Sequence, residues 1–576
     1  MNPATASGAV EEPVAPPDRL SRSPEPPAPP APPGPAAARA SRARLALLVA
    51  LVVGVALRLL QYAVDRSLWL DEALLAANYL PRGWAGLLAP LDRGQTAPLG
   101  FLALQKLAAT LLGPSEHALR LLPLLAGLAT LALLPGVARR YVGRRALPLA
   151  VAVVALAPFL VYYSAEAKPY ALDALASVVV LGLAAALARR PGDGRTAAAF
   201  AAVGVVAPWL SQPVVFMLAG TGLVLGARAL RRRDRAALTV LAGLAALWAL
   251  SFAGSYLVSR HEVADPEYMR AFWRTGFMPL PPRSAADWLW LPRMLARVFR
   301  EPLGILGHDR SPVATLGAVA SGLVFVLGCV AMWRRRRLAL ALLLAPVALT
   351  LAASAVRAYP FGAELQAAGR VLVFLVPSFA LVTAYGAASL PRLLRRPAMR
   401  GLYAAAAALV LLPSLAYALR SVPHLRNEVK PLLAYAAENR RPGDLMYVYY
   451  NGLPSYEYYA PRYGWGPAET VRGVCSRLRP EGYVDDLARL RGRPRVWVLI
   501  VEGAPIGDFD EKRFMVDFLE HVGRRLDDRV TIGAALYLYD LRPRDTGPFT
   551  ARIPHLPLDP GMDCRGAWAP LPVEVR

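Results

Sequence analysis

Apolar residues in this chain come in long runs separated by short basic or Pro-rich stretches. A helix of about 20 residues, at 1.5 Å rise per residue, crosses the hydrocarbon core of a bilayer. Runs near 45–63, 117–138, 146–163, 170–188, 196–210, 213–230, 236–257, 312–333, 338–356, 370–390 and 400–420 meet or approach that length, which predicts about eleven spans. Residues 97–112 (APLGFLALQKLAATLL) are apolar but short and carry Lys106, so they are expected to lie at the interface or re-enter without crossing. After residue 420 the pattern changes. No later run is long enough to span, and aromatic, Pro and charged residues rise. VKPLLAYAAENRRPGDLMYVYY reads as helix, turn and strand, RPRVWVLIVEG as a buried strand, EKRFMVDFLEHVGRRL as an amphipathic helix and AALYLYDL as a strand.

The expected architecture is an all-α polytopic membrane domain over 44–420 and a small α/β domain over 421–576. They follow a Pro/Ala-rich tail, residues 1–43 (PEPPAPPAPPGPAAARA within it), with nothing to pack. The tail does not read as a signal peptide, because the first apolar run starts late and no cleavage site follows it.

Composition agrees with this division. Of 576 residues, 56% are hydrophobic and 18% charged, yet the net charge is +24. In a water-soluble chain such charge would suggest nucleic acid. Here Arg clusters at 139–145, 189–195, 231–235, 334–337 and 392–400 fall between apolar runs, which favours cytoplasmic retention of positive loops over nucleic-acid binding. With eleven spans and a cytoplasmic N-terminus, every cluster falls inside, provided 97–112 does not cross. The C-terminal domain then lies outside, with segments 64–116, 164–169, 211–213, 258–311 and 357–369. The three cysteines form no metal-binding spacing; Cys329 reads as a span residue, while Cys475 and Cys564 could pair in an extracytoplasmic domain.

The polar segments gathered on that one face carry the candidate chemistry. SLWLDEALLAANYL places Asp71 and Glu72 at a helix start beside the membrane. Neighbours on a helix point about 100° apart, so the two carboxylates cannot act face to face. One can face a cavity while the other serves the helix start, where acids are favoured. A carboxylate left partly dry at the boundary needs a partner or a task, which weights Asp71. YYSAEAKPYALDALA puts Glu166 and Lys168 before Pro169 and Tyr170, a helix start with a lysine that suits an anion. RAYPFGAELQAAGRVLVFLVP places Arg370 in the first turn of a span beside Tyr359, where it either snorkels or clamps a phosphate. Loop 258–311 adds His261, Arg270, Arg274 and His308, and AADWLWLPRMLARVFR reads as an interfacial helix suited to anionic head groups. Each feature alone has an ordinary reading as a cap or surface anchor. Together they suit a lipid-linked phosphate ligand.

LWLDEA, the segment APLGFLALQKL…LLGPSEHALRLLPLLAGL, GRRALPLAVAVVALAPFLVYYSAEAKPYAL and the run YPF…GRVLVFLVP resemble the integral-membrane GT-C glycosyltransferases. The group approached is the family 39-like one, which includes protein mannosyltransferases and lipid A aminoarabinose transferases. The similarity is best over 45–230 and only general beyond 420. The resemblance implies a plasma-membrane, cell-envelope enzyme that moves a hexosyl or pentosyl group from a polyprenyl-phosphate donor to a glycan, lipid or protein acceptor, with inversion. It implies Asp71 and Glu166 as catalytic acids that could share a divalent cation (Mg or Mn), with Glu72, Lys168, Tyr170, Tyr359 and Arg370 around the substrate. The chain departs from the family at Ala97-Pro98, where two prolines are common, and at Ala165 and Lys168, where Gln and Arg are common. The second change keeps the charge but loses the planar fork. A transporter or flippase of lipid-linked sugars is the main alternative; no internal repeat is visible, and the polar motifs lie at the boundary rather than in mid-span. A third reading is a non-enzymatic anchor displaying the C-terminal domain.

Overall fold

A computed structural model describes residues 35–259, 270–300, 303, 312–362, 368–393, 400–503, 509–542 and 547–550. His261, His308, Cys564 and most of the Pro-rich tail lie outside the described residues. The helical part contains α1 (Pro35–Ala63), α2 (Leu70–Tyr79), α3 (Leu99–Leu112), α4 (Glu116–Leu156), α5 (Pro158–Tyr162), α6 (Tyr170–Arg189), α7 (Gly194–Val206), α8 (Val214–Arg231) and α9 (Arg235–Ser259). It continues with α10 (Trp290–Arg300), α11 (Pro312–Arg335), α12 (Arg337–Ala355), α13 (Val376–Leu393) and α14 (Arg400–Ser421). Among the described residues, 9 helices are long and apolar enough to cross a membrane. The protein is a multi-pass membrane protein.

The eleven expected spans fall on ten of these helices, and all but α7 are among those long and apolar enough to cross. α4 holds two of them, divided where Gly143 adopts φ 76°, a conformation that other residues rarely take. The second of those crossings breaks at Ala157-Pro158, because a proline ring clashes with the preceding turn. α7 has 13 residues and is continued by a 3-10 turn at Ala207–Trp209, so it is shorter than a full span. α3 has 14 residues, too few to cross.

The polar residues of the described helices gather at two ends. At one end the Arg turns meet: Arg140 donates to Gly182 O at 2.8 Å, Arg336 to Tyr141 O at 3.1 Å and Tyr403 to Arg145 O at 3.3 Å. At the other end lie α2, the 163–169 loop, residues 356–362, the 3-10 turn that carries Arg370 and the sheet domain. Bulky apolar side chains such as Leu250, Leu323 and Val52 stay exposed along the helices, as a lipid-facing surface requires.

After α14 come α15 (Lys430–Asn439), β1 (Leu445–Val448), α16 (Leu453–Tyr459), β2 (Thr470–Arg472), α17 (Glu481–Ala488), β3 (Val496–Val501), α18 (Glu511–Val522), β4 (Arg524–Thr531) and β5 (Ala534–Asp540). The strand order is β2-β1-β3-β5-β4, with β1 parallel to β2 and β3, and β5 antiparallel to β3 and β4. β3, VWVLIV, is buried throughout, as its unbroken apolar run predicts. The helix expected over EKRFMVDFLEHVGRRL stops at Val522, and RRLDDRVT forms edge strand β4 instead. Its charged side chains hide the strand signal and guard an exposed edge. Cys475 is disulfide-bonded.

One apolar core joins the sheet domain to the first loop. Leu75, Ala76 and Tyr79 of α2 and Phe101 and Leu102 of α3 pack in the same cluster as Val498, Leu499 and Phe518. The sheet domain therefore forms part of the wall behind α2.

Candidate functional site

α2 begins where the chain leaves α1, and its first turn is fixed by buried ionic contacts. Glu72 is 0% exposed. Its Oε1 accepts from Arg120 Nε at 2.9 Å and Ala167 N at 2.8 Å. Its Oε2 accepts from Arg120 Nη2 at 2.7 Å and Trp69 N at 3.3 Å, with Arg66 Nη1 at 3.5 Å. Arg120 also donates to Arg66 O and Ser67 O, and Arg66 to Ala165 O. Glu72 thus ties α2 to α4 and to the 163–169 loop. Burial pushes its carboxyl up, but Arg120 and Arg66 outweigh that and hold it down at about 2. Both oxygens are engaged within the scaffold, so the substrate contact expected of Glu72 has no free atom to make it.

That clamp aims Asp71 the other way. Asp71 is half-buried, and its Oδ2 accepts from Arg370 Nη1 at 2.8 Å, a contact between residues 299 positions apart. Burial raises the Asp71 carboxyl, yet Arg370, Lys168 and Arg426 together bring it below its ordinary value. Arg370 lies on a 3-10 turn, Ala368–Leu375, rather than in the first α-helical turn of the span. Its Nε is buried without a hydrogen-bond partner among the described residues, and its guanidinium carbon lies 6.0 Å from the ring centroid of Trp273. Three residues after Trp273, Gly276 packs so closely on Gly362 that a Cβ at position 276 would collide with the Gly362 carbonyl oxygen. Phe361 N donates to Gly276 O at 2.8 Å across the same contact.

The 163–169 loop supplies the next two groups. Lys168 is 6% exposed and donates from Nζ to Gln95 Oε1 at 2.9 Å. Burial pushes its ammonium down. Glu166 is 0% exposed, and neither carboxylate oxygen has a hydrogen-bond partner among the described residues. Burial, then the charge of Glu72, pushes it up to about 7. Tyr170 is half-buried against Tyr163, with ring centroids 4.7 Å apart. Tyr359 gives its hydroxyl to Val371 O at 2.8 Å and packs on Phe216, so it braces the turn that carries Arg370.

Asp71, Glu166, Lys168 and Arg370 thus converge from three separated stretches of chain. Glu72 and Tyr359 hold the frame behind them. Four contributors escaped the sequence reading: Arg66, Arg120, Gln95 and Arg426. Arg66 stands five residues before Asp71 in DRSLWLDE and was the most findable; the others carry no local motif.

Among the described residues, no three His, Cys, Asp or Glu side chains gather as a metal site. The buried Glu166 carboxylate, with the Tyr162 hydroxyl and the Arg66 charge beside it, could take a cation, which Asp71 would join by loosening Arg370. A magnesium ion commonly takes one or two carboxylates and fills its other positions with water and phosphate.

A separate cavity of about 550 Å³ lies between α2, α3 and α16, lined by Ala73, Ala76, Ala77, Lys106, Tyr458 and Arg462. At about 100° per residue, the three alanines lie on the side of α2 opposite Asp71. This cavity and the charged site are therefore back to back across one helix.

No known protein-family pattern matches the chain, and no curated protein matches it by sequence. Solved structures do resemble it. ArnT from Cupriavidus metallidurans bound to undecaprenyl phosphate shares 15% identity at a TM-score of 0.49, over 86% of this chain and 98% of that one. The Archaeoglobus fulgidus oligosaccharyltransferase complex with Zn and sulfate shares 13% identity at 0.47, over 79% of this chain and 67% of that one. AglB from the same organism, in complex with an inhibitory peptide and a dolichol-phosphate, shares 12% identity at 0.47, over 87% and 74%. Scores of this size leave the chemistry of the site to rest on its own geometry.

Proposed function

We propose that this protein is a membrane glycosyltransferase that moves a sugar from a polyprenyl-phosphate donor to an acceptor hydroxyl at the outer face of the plasma membrane. The observation that carries this reading is the Asp71–Arg370 pair, half-buried at one end of a helical bundle with Lys168 and the buried Glu166 beside it. One carboxylate and two cations at a lipid boundary match the needs of the reaction: a group to take the acceptor proton and charges to receive a departing lipid phosphate.

In this reading Arg370 keeps Nη1 on Asp71 and offers its unused Nε edge to a phosphate oxygen. Lys168 turns from Gln95 to the same phosphate. The acceptor oxygen attacks the anomeric carbon as its proton passes to Asp71. The bond from that carbon to the phosphate oxygen breaks, and its electron pair stays on the phosphate, where Arg370 and Lys168 stabilise it. Direct attack inverts the anomeric centre. A divalent cation, where one is bound, would be held by Glu166, joined by Asp71 once Arg370 loosens from it, and would supply further neutralisation of phosphate charge. Tyr170 lines the approach, and the acceptor is a glycan, lipid or protein hydroxyl.

Asp71→Asn keeps the size of the side chain and can still accept from Arg370, but it cannot take the proton. Transfer of radiolabelled sugar from a polyprenyl-phosphate donor should fall by about 10²–10⁴, with normal accumulation in the membrane. Undiminished transfer by this variant rules out the assigned base. Vesicle uptake of lipid-linked sugar without transfer by the unaltered protein would instead favour a flippase.

A further inference from the structure

The segment between α14 and α15 brings a third cation to the site. Its course is pinned on both sides of Arg426. His424 N donates to Gln61 Oε1 at 2.7 Å, and Gln61 Nε2 returns to His424 O at 2.9 Å. Asn427 Nδ2 donates to Gly533 O at 3.0 Å and Glu502 O at 3.2 Å. Glu428 Oε2 accepts from Ser67 N and Oγ, both at 3.1 Å. Between these anchors the Arg426 guanidinium carbon lies 3.5 Å from the ring centroid of Trp69, the residue that precedes α2.

A guanidinium stacked at this distance lies flat on the indole, which leaves its edge N–H groups directed sideways. Arg426 is half-buried, and those groups make no hydrogen bond or ion pair among the described residues. Its field reaches Asp71, whose carboxylate is already engaged by Arg370. With the Glu72 clamp set aside, Arg370, Lys168 and Arg426 stand against Asp71 and Glu166. That leaves a surplus of one positive charge with both carboxylates ionised, and of two with Glu166 neutral. A phosphate monoester or diester carries the charge that such a surplus accommodates.

We propose that Arg426 binds the phosphate of the polyprenyl-phosphate lipid, so that the connector to the sheet domain completes the site built by α2, the 163–169 loop and the Arg370 turn. This rests on the glycosyltransferase reading above and adds a binding residue to it. The stacked pose presets the fork, whereas a lysine there would keep the charge and lose the platform.

The test uses the full-length protein in detergent, with undecaprenyl phosphate and the uncharged undecaprenol as probes. Arg426→Gln should weaken binding of the phosphate lipid by about tenfold or more and leave undecaprenol binding unchanged. Arg426→Lys, which retains the charge, should lose affinity several-fold and serves as the measure should the Gln variant fold poorly. Equal affinity for undecaprenyl phosphate in the wild type and a folded Arg426 variant, while Arg370→Gln loses it, overturns the role of Arg426 and leaves the enzyme reading intact. A wild type that binds both lipids alike overturns the reading beneath it as well.

Discussion

Among individual side chains, the adjacent acids Asp71 and Glu72 have opposite environments. Glu72 faces two buried guanidinium groups and two backbone N–H groups, and Asp71 faces the half-open site. Removing one partner from a buried ion cluster leaves the others uncompensated, at about 3–5 kcal/mol. Glu72→Ala should therefore lower the unfolding temperature in detergent and reduce accumulation, whereas Asp71→Asn should change neither much. Glu166 makes a pH prediction. Its folded carboxyl stands near 7 against an ordinary 4.5. A carboxyl raised on folding favours the folded state while protonated, and that contribution is lost as pH rises from about 4.5 through 7. Thermal melting of the wild type should fall across that interval relative to Glu166→Gln, which carries no ionisable group there. Parallel melting curves for the two proteins would show that Glu166 is not buried as described.

Among the helices and strands, α2 depends most on its neighbours. Ten residues are too few for a stable isolated helix in water, so its stability comes from packing. Leu75, Ala76 and Tyr79 pack into the core of the sheet domain, Ser455 Oγ donates to Leu68 O at 2.9 Å, and Tyr459 Oη accepts from Leu68 N at 2.8 Å. Truncation after Ser421 should thus abolish transfer by loosening α2, visible as rapid proteolysis between residues 64 and 98. Survival of activity in the truncated protein would mean that the sheet domain is accessory. Legibility followed the same division. Long apolar helices such as α6 and α11 were readable, because a lipid environment demands continuous helix and leaves few alternatives. Edge strand β4 was not, since its side chains face water and carry no alternation. α7 was placed correctly but overestimated in length, because its 3-10 continuation is as apolar as the helix.

Across the molecule, charge on the described residues is sorted by end. The Arg turns around Arg140, Arg145 and Arg336 meet at one end, away from Asp71 and Lys168, and retention of positive loops in the cytoplasm then predicts that Asp71 faces outward. Cysteines introduced at exposed Gly83 and Gly192, where an added Cβ meets nothing within 4 Å, should report the orientation. In a Cys329→Ala background, an impermeant maleimide added to intact cells should label Gly83→Cys and spare Gly192→Cys. The reverse pattern would put the Asp71 site in the cytoplasm and remove its access to an outer-face donor.

The order of residues alone was enough to set the long apolar helices and the Arg-rich turns between them. These follow from local hydrophobicity, turn residues and charge, which act over one or two helical turns and need no knowledge of distant partners. Packing in three dimensions had to choose which acid faces the site and which is locked behind it, to make Tyr359 a brace rather than a lining residue, and to stack Arg426 on Trp69. Those outcomes depend on contacts between residues separated by tens to hundreds of positions, such as Glu72 with Arg120 and Asp71 with Arg370. A single carboxylate carries no local sign of the guanidinium it will meet, because that meeting is settled by how whole helices pack.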